Sequence, residues 1–312
     1  MAHPRKFRFG VQASNAGSAA EWATLARKAE DLGYSSLFLP DHFGDQLAPV
    51  PAMMAAADAT TDLKVGALVF DNDYKHPVVL AKEMATIDVL SGGRVEFGIG
   101  AGWMNTDYEQ SGIPKERDGV RIARMVEALD IYKGLWAPGA YSFKGEHYTI
   151  DGLDGLPKPV QQPHPPILIG AGGPKMLKIA AQHADIVGIN PQLTAGEITA
   201  DAGKDAVAAR VDQKVQWVKD AAGDRFDDLE LNILVFFGMI TDDPKAMAEN
   251  LASAFGVTPD EALEVPYAWF GSVEGICDKL RAARDRWGTS YFVMQKDGME
   301  AMAPVVAQLA GT

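Results

Sequence analysis

One cysteine, Cys277, stands among the 312 residues, so the chain can form no internal disulfide. Histidine is equally sparse as metal chemistry goes: His42, His76, His147, His164 and His183 are scattered rather than spaced as zinc ligands. No apolar run approaches the ~20 residues that span a bilayer, which argues against an integral membrane protein. Basic residues are in deficit, 29 Lys and Arg against 42 Asp and Glu, and a net charge of −13 repels the phosphate backbone of a nucleic acid. The opening Met1-Ala2-His3-Pro4-Arg5-Lys6 runs toward a strand rather than into an apolar signal core, from which a cytoplasmic location is expected.

What the chain has in quantity is core-forming: 47% hydrophobic and 23% charged residues, the balance of a globular protein with a sizeable interior. β-prone runs at 7–13, 35–39, 63–70, 95–100, 167–170, 186–189, 229–240 and 290–294 alternate with runs of helical period. The helical runs are 19–32, 51–59, 77–90, 120–135, 175–183, 204–222, one from Pro244, and 299–309, with 273–287 in addition. Eight strands, apolar without strict alternation, suit parallel strands buried on both faces. The expected fold is therefore α/β, a (β/α)8 TIM barrel, with a doubly wound open sheet as the alternative. An irregular piece, 137–165, lies between the fourth and fifth strands. It contains Tyr141-Ser142-Phe143 and His147-Tyr148-Thr149-Ile150, read as a small hairpin inserted into a single domain over 1–312.

Two strands run into glycines. Ile167-Leu168-Ile169-Gly170-Ala171-Gly172-Gly173-Pro174 leads into a helix, so backbone N–H groups at Gly170, Gly172 and Gly173 can approach an anion that the helix dipole favours. Pro174 fits the first helical position. The fourth strand ends as Phe97-Gly98-Ile99-Gly100-Ala101-Gly102-Trp103. Neither run has the dinucleotide spacing, and their coincidence points to one shared ligand.

Taken in order, the motifs Pro40-Asp41-His42-Phe43, Ser91-Gly92-Gly93-Arg94, Gly98 to Trp103, Pro157-Lys158-Pro159-Val160-Gln161 and Ile169 to Gly173 resemble the luciferase-like flavin and deazaflavin oxidoreductases, specifically the coenzyme F420-dependent branch common in actinobacteria. The resemblance covers nearly the whole chain. It implies a flavin-like ring across the carboxyl ends of the strands, near Asp41, His42, Gly100, Ala101 and Gly102, and a phosphate at Gly170, Ala171, Gly172 and Gly173. It also implies a bulge in strand three, often with a non-proline cis peptide, best matched by Gly66-Ala67-Leu68. Related proteins are commonly dimers, here through 51–59 and 77–90, so a homodimer is expected.

His42 is the expected catalytic residue, since imidazole exchanges protons near neutral pH and barrels place functional side chains past strand ends. Trp103 stands where the family's sugar-phosphate dehydrogenases carry a glutamate. An indole is no general acid, so that reaction is disfavoured and the substrate, a small molecule, is expected to be less polar than a sugar phosphate. Phe70 and Tyr108 are expected beside Trp103 in the substrate pocket, with Asn72, His76, Asn105, Asn190, Tyr267, Trp269 and Phe270 as further wall candidates. The expected activity is hydride transfer with coenzyme F420, in either direction. The alternatives are an FMN-dependent monooxygenase, a non-catalytic deazaflavin-binding protein, and a metal-dependent hydrolase built on Asp41, His42, His76 and Asp185.

Overall fold

A computed structural model of the protein describes residues 5–192, 196 and 200–312, and the reading of residues 1–4 as a leader-free start lies outside them. In chain order, a parallel strand followed by helix recurs eight times, the order of a (β/α)8 barrel. The eight strands are Arg8–Gln12, Ser36–Leu39, Lys64–Ala67, Val95–Gly100, Ile167–Ala171, Ile186–Ile189, Glu230–Val235 and Thr289–Gln295. Most of their residues are buried on both faces, as expected of apolar strands covered by helices. By contacts the chain divides into two compact units. One is Ser14–Arg27 with Leu37–Ile169, and the other is Met1–Ala13 with Lys28–Ser36 and Gly170–Thr312.

In the first unit, strand four pairs in parallel with strand three (Val65 opposite Val95) and with the start of strand five (Phe97 opposite Ile167). Strand three departs from the expected continuous run at 63–70. It stops at Ala67, the Leu68–Val69 peptide is cis, and a two-residue strand, Phe70–Asp71, resumes pairing opposite Ile99 and Gly100. The break thus begins at Leu68, the last of the positions the resemblance singled out, and carries the non-proline cis peptide that it implied. Gly66 and Gly98 serve the approach of these strands to each other: a Cβ on Gly66 would overlap the Glu96 carbonyl oxygen, and one on Gly98 would overlap that of Ala67.

The motifs after strand three turn out to be fasteners. Gly92, with φ +70°, closes the helix Pro77–Ser91 in the left-handed conformation that glycine adopts without penalty. Arg94 then donates to the carbonyls of Ala57 at 2.7 Å, Leu63 at 3.1 Å and Ser91 at 2.8 Å. The 137–165 insert contains the expected hairpin, Ala140–Lys144 against Thr149–Asp154, antiparallel. Its return is anchored by buried Asp88, which accepts from Val160 N–H at 2.7 Å and from Gln161 N–H at 3.0 Å. A short helix, Asn105–Ser111, precedes the long helix Asp118–Trp136 and was not expected.

In the second unit, strand eight lies between strands one and seven, with Gly10 opposite Val293 and Ile233 opposite Phe292. Strand seven also pairs with strand six, Glu230 opposite Ile186. Arg8 grips Glu230 at 2.8 and 2.6 Å and lies over the Tyr291 ring. The expected single strand 229–240 divides at Phe236, and Phe237–Ile240 pairs with Ala268–Gly271 instead. A continuous apolar run cannot show where a strand changes partner. Tyr267, Trp269 and Phe270, expected as pocket walls, are buried; the Trp269 ring packs against Phe9 and Phe292.

Because the Cβ added at residue 98 has backbone rather than a flexible side chain in its way, Gly98→Ala is expected to cost ~1–3 kcal/mol of stability, the range for overpacking. Urea unfolding at fixed pH measures it, and an unchanged midpoint would contradict the strand contact.

Candidate active site

Within the first unit the candidate residues gather past the ends of strands two, three and four. His42 Nδ1 lies 2.6 Å from Asp107 Oδ2. The Asp107 side chain is 5% exposed and that of His42 18%, so the imidazole is partly open while its partner is enclosed. Tyr74 donates its hydroxyl to the same Asp107 oxygen at 3.1 Å, and the Phe43 N–H points to the other at 3.3 Å. Trp103 meets the imidazole edge to face, with ring centroids 5.7 Å apart.

A second carboxylate group closes strand three. The Tyr108 hydroxyl lies 2.9 Å from Asp71 Oδ2 and 3.0 Å from Asp73 Oδ2, so its single proton serves one of the two. The Asp71 N–H donates to Asp41 Oδ2 at 3.2 Å, and Arg124 lies 3.2 Å from Asp73. Burial pushes the carboxyls of Asp41 and Asp71 up to about 6, against the backbone N–H bonds that each accepts. Burial together with the neighbouring carboxylates also raises Tyr74 and Tyr108 well above the ordinary phenol value, keeping both as donors.

The turn that carries Trp103 is clamped by cations. Arg121 donates to the carbonyls of Ala101 at 3.0 Å and Gly102 at 2.7 Å, and Lys115 donates to that of Trp103 at 2.8 Å and to the Asn105 side chain. Gly102 has φ +75°, and a Cβ there would overlap the Tyr108 hydroxyl and the Asp71 carboxylate. At Gly100 a Cβ would come within 2.8 Å of Val69. Gly100 and Gly102 therefore admit the protein's own side chains.

Other expected site residues are placed differently. Phe70 is 1% exposed and packs on Phe97 in the core, so it walls no pocket; Gly66, Ala67 and Leu68 are buried too. Tyr108 is buried; its hydroxyl reaches Asp71 and its ring meets that of Tyr74 edge to face, with centroids 5.8 Å apart. His76 caps the helix Pro77–Ser91, accepting from Val78 N–H at 3.3 Å, and Asp185 lies 3.9 Å from Arg225. Asn72 is buried and bonded to the Tyr148 hydroxyl at 3.4 Å.

In the second unit, strand five feeds the helix Pro174–His183, with Pro174 in its first turn and Gly173 as N-cap. Among the described residues no side chain caps this helix, and its first turn begins at a partly open glycine turn. Gly172 is required by packing, since a Cβ there would come within 2.6 Å of the Pro191 carbonyl oxygen. At Gly173 the nearest atom is the mobile end of Gln192, 3.3 Å away. The facing backbone is held by fully buried Lys214, which bonds the Asn190 carbonyl at 2.7 Å and Asp205 at 2.5 Å. Asp205 also accepts from Gln192 N–H at 2.8 Å, and Asn190 N–H donates to the Ala171 carbonyl at 2.8 Å.

The family model for luciferase-like monooxygenases matches residues 5–264. The chain belongs to that family. Among relatives of this luciferase-like protein, an uncharacterized protein of Mycobacterium tuberculosis is 31% identical over 266 residues, 74% of this chain and 92% of that one. An F420-dependent glucose-6-phosphate dehydrogenase of Nakamurella multipartita is 28% identical over 301 residues, 91% of this chain and 83% of that one. Flavin-dependent monooxygenases are relatives as well. The coenzyme F420-dependent tetrahydromethanopterin reductase of Methanopyrus kandleri superposes with a TM-score of 0.77 over 98% of this chain and 99% of that one, at 19% identity. That likeness shows the (β/α)8 fold, and the curated relatives place the luciferase-like chain among oxidoreductases.

Asp71, Asp73, Tyr74, Asp107, Lys115 and Arg121 were not among the residues singled out from the sequence. A signal existed for three of them: Asp71, Asp73 and Asp107 follow the ends of strands three and four, where barrels place functional side chains. Their convergence has no spacing signature.

The raised Asp71 value carries a stability consequence. Below about pH 4 the carboxyl is protonated in both folded and unfolded chains and costs nothing; as pH rises from about 4 to 6 only the unfolded chain releases the proton freely, and the penalty is complete above about 6. Asp71→Asn removes the titration, so its stability relative to the parent should improve by ~2–3 kcal/mol between pH 4 and 7. Urea unfolding across that range tests this, and a pH-independent difference would refute it.

Proposed function

We propose that this luciferase-like protein is a coenzyme F420-dependent oxidoreductase that transfers a hydride between the deazaflavin and a small, weakly polar organic substrate. The observation that carries the reading is His42, a partly open proton-exchanging group past strand two, braced by a buried carboxylate and faced by Trp103. The donor set fits a flavin-like group in two respects. The first unit by itself offers a partly open imidazole and an indole at the strand ends, and the second by itself offers a helix N-terminus at Gly173, without a side-chain cap among the described residues, suited to a phosphate. When bound, the coenzyme supplies the ring carbon that gives or takes the hydride.

The chain's own residues then have separate tasks. His42 exchanges a proton at Nε2, the nitrogen not engaged by Asp107. Trp103 brings apolar surface and a single N–H donor where the family's sugar-phosphate dehydrogenases have a carboxyl, which favours a substrate less polar than a sugar phosphate. Lys115 and Arg121 keep the turn bearing Trp103 in place. FMN is the second reading, supported by the flavin-dependent relatives.

Parallel fluorescence titrations with coenzyme F420 and FMN at one salt concentration test the cofactor, with micromolar or tighter binding of the deazaflavin expected and preference for FMN moving the protein to the oxygenases. His42→Ala should lower hydride transfer by ~10²-fold or more, the usual share of a positioned proton donor. Gly173→Asp places a carboxylate at the helix N-cap. It should raise the melting temperature slightly yet weaken coenzyme binding by ~10-fold or more, and unchanged affinity would sink the phosphate assignment.

A further inference from the structure

We infer that Asp107 is a positioning residue that fixes the tautomer of His42, holding the proton on Nδ1 and leaving the lone pair on Nε2. This rests on the proposed role of His42 only for its consequence in turnover; the tautomer itself is a property of the free protein.

Three donors converge on one enclosed carboxyl. The Tyr74 hydroxyl reaches Asp107 Oδ2 at 3.1 Å, the Phe43 N–H reaches Oδ1 at 3.3 Å, and His42 Nδ1 reaches Oδ2 at 2.6 Å. The first two are donors, so both carboxylate oxygens are already acceptors, and the atom left facing Oδ2 must be an N–H to make the short contact attractive. None of the three partners belongs to the short helix Asn105–Ser111 that carries Asp107. A residue placed only to cap that helix would bond to the helix's own amides. Here the carboxylate bridges the turns after strands two, three and four.

The other groups around His42 do not compete for Nδ1. Asp41 accepts the Asp71 N–H, Trp103 presents its ring edge to face, and Lys75 is paired with Glu83 at 2.8 Å. With Nδ1–H bound, the imidazole is fixed both in rotation and in proton position. A proton arriving at Nε2 then forms an imidazolium whose second N–H already meets a carboxylate, and its departure restores the neutral ring. The same bond supports transfer in either direction.

The test begins with the free protein, uniformly ¹⁵N-labelled at histidine. Long-range ¹H–¹⁵N spectra should show His42 protonated at Nδ1 and bare at Nε2. In Asp107→Asn and Asp107→Ala that exclusive tautomer should be lost, while Tyr74→Phe retains it. A wild-type His42 carrying its proton on Nε2, or an unchanged tautomer in both Asp107 variants, overturns the inference without reference to any cofactor. With coenzyme F420 present, the two Asp107 variants should lose ~10- to 100-fold in hydride transfer while coenzyme affinity changes by less than ~3-fold; equal rates overturn the positioning role. Failure of the wild type to bind F420 overturns the cofactor reading alone, because the tautomer is measured without it.

Discussion

The close approach of strands three and four governs the first unit. Gly66 and Gly98 have no room for a side chain because each faces a carbonyl oxygen of the neighbouring strand, and Gly100 and Gly102 leave space for Val69, Asp71 and Tyr108. With the strands this near, the third breaks after Ala67 and resumes as Phe70–Asp71, which delivers Asp71, Asp73 and Tyr74 past the strand end. Every polar contact of the candidate site except those within the Trp103 turn is made by residues that this break positions, or by Asp107 and Tyr108 that meet them.

Burying so many carboxylates in one place is expensive, and the arrangement shows how the cost is contained. Desolvation raises Asp41 and Asp71 toward neutral pH, and it raises Tyr74 and Tyr108 as well, further above the ordinary phenol value, so both remain donors. Arg121 and Lys115 hold backbone carbonyls of the Trp103 turn, and the positive charges of Arg124 and Arg121 favour the ionised Asp73. His42 sits at the partly exposed margin of the cluster.

Much of this organisation was legible in the chain. The eight strand–helix repeats, the hairpin insert, the helix after Pro174 and the placement of His42 past strand two all follow from periodicity and from the rule that barrels build sites at strand ends. The motif glycines were legible as special but not as to why. Those at the end of strand four read as room for a ligand, whereas Gly98 meets the Ala67 backbone and Gly100 and Gly102 admit Val69, Asp71 and Tyr108; Gly172 yields to the Pro191 backbone, while Gly173 has only the end of the Gln192 side chain near it. Phe70, Trp269 and Phe270 read as pocket walls and are core, since an aromatic near a strand end is equally able to point inward.

The sequence by itself determined the repeat, the family and the residue types available for chemistry, because local hydrophobic period and ordered motifs are properties of neighbours along the chain. Tertiary structure alone decided that Asp107 meets His42 across 65 positions, that the Tyr108 hydroxyl lies between two aspartates, and that Arg94 and Asp88 tie distant loops. Hydrogen bonds of this kind require donor–acceptor distances held to within a few tenths of an ångström between side chains brought together by packing, and no spacing in the sequence encodes them.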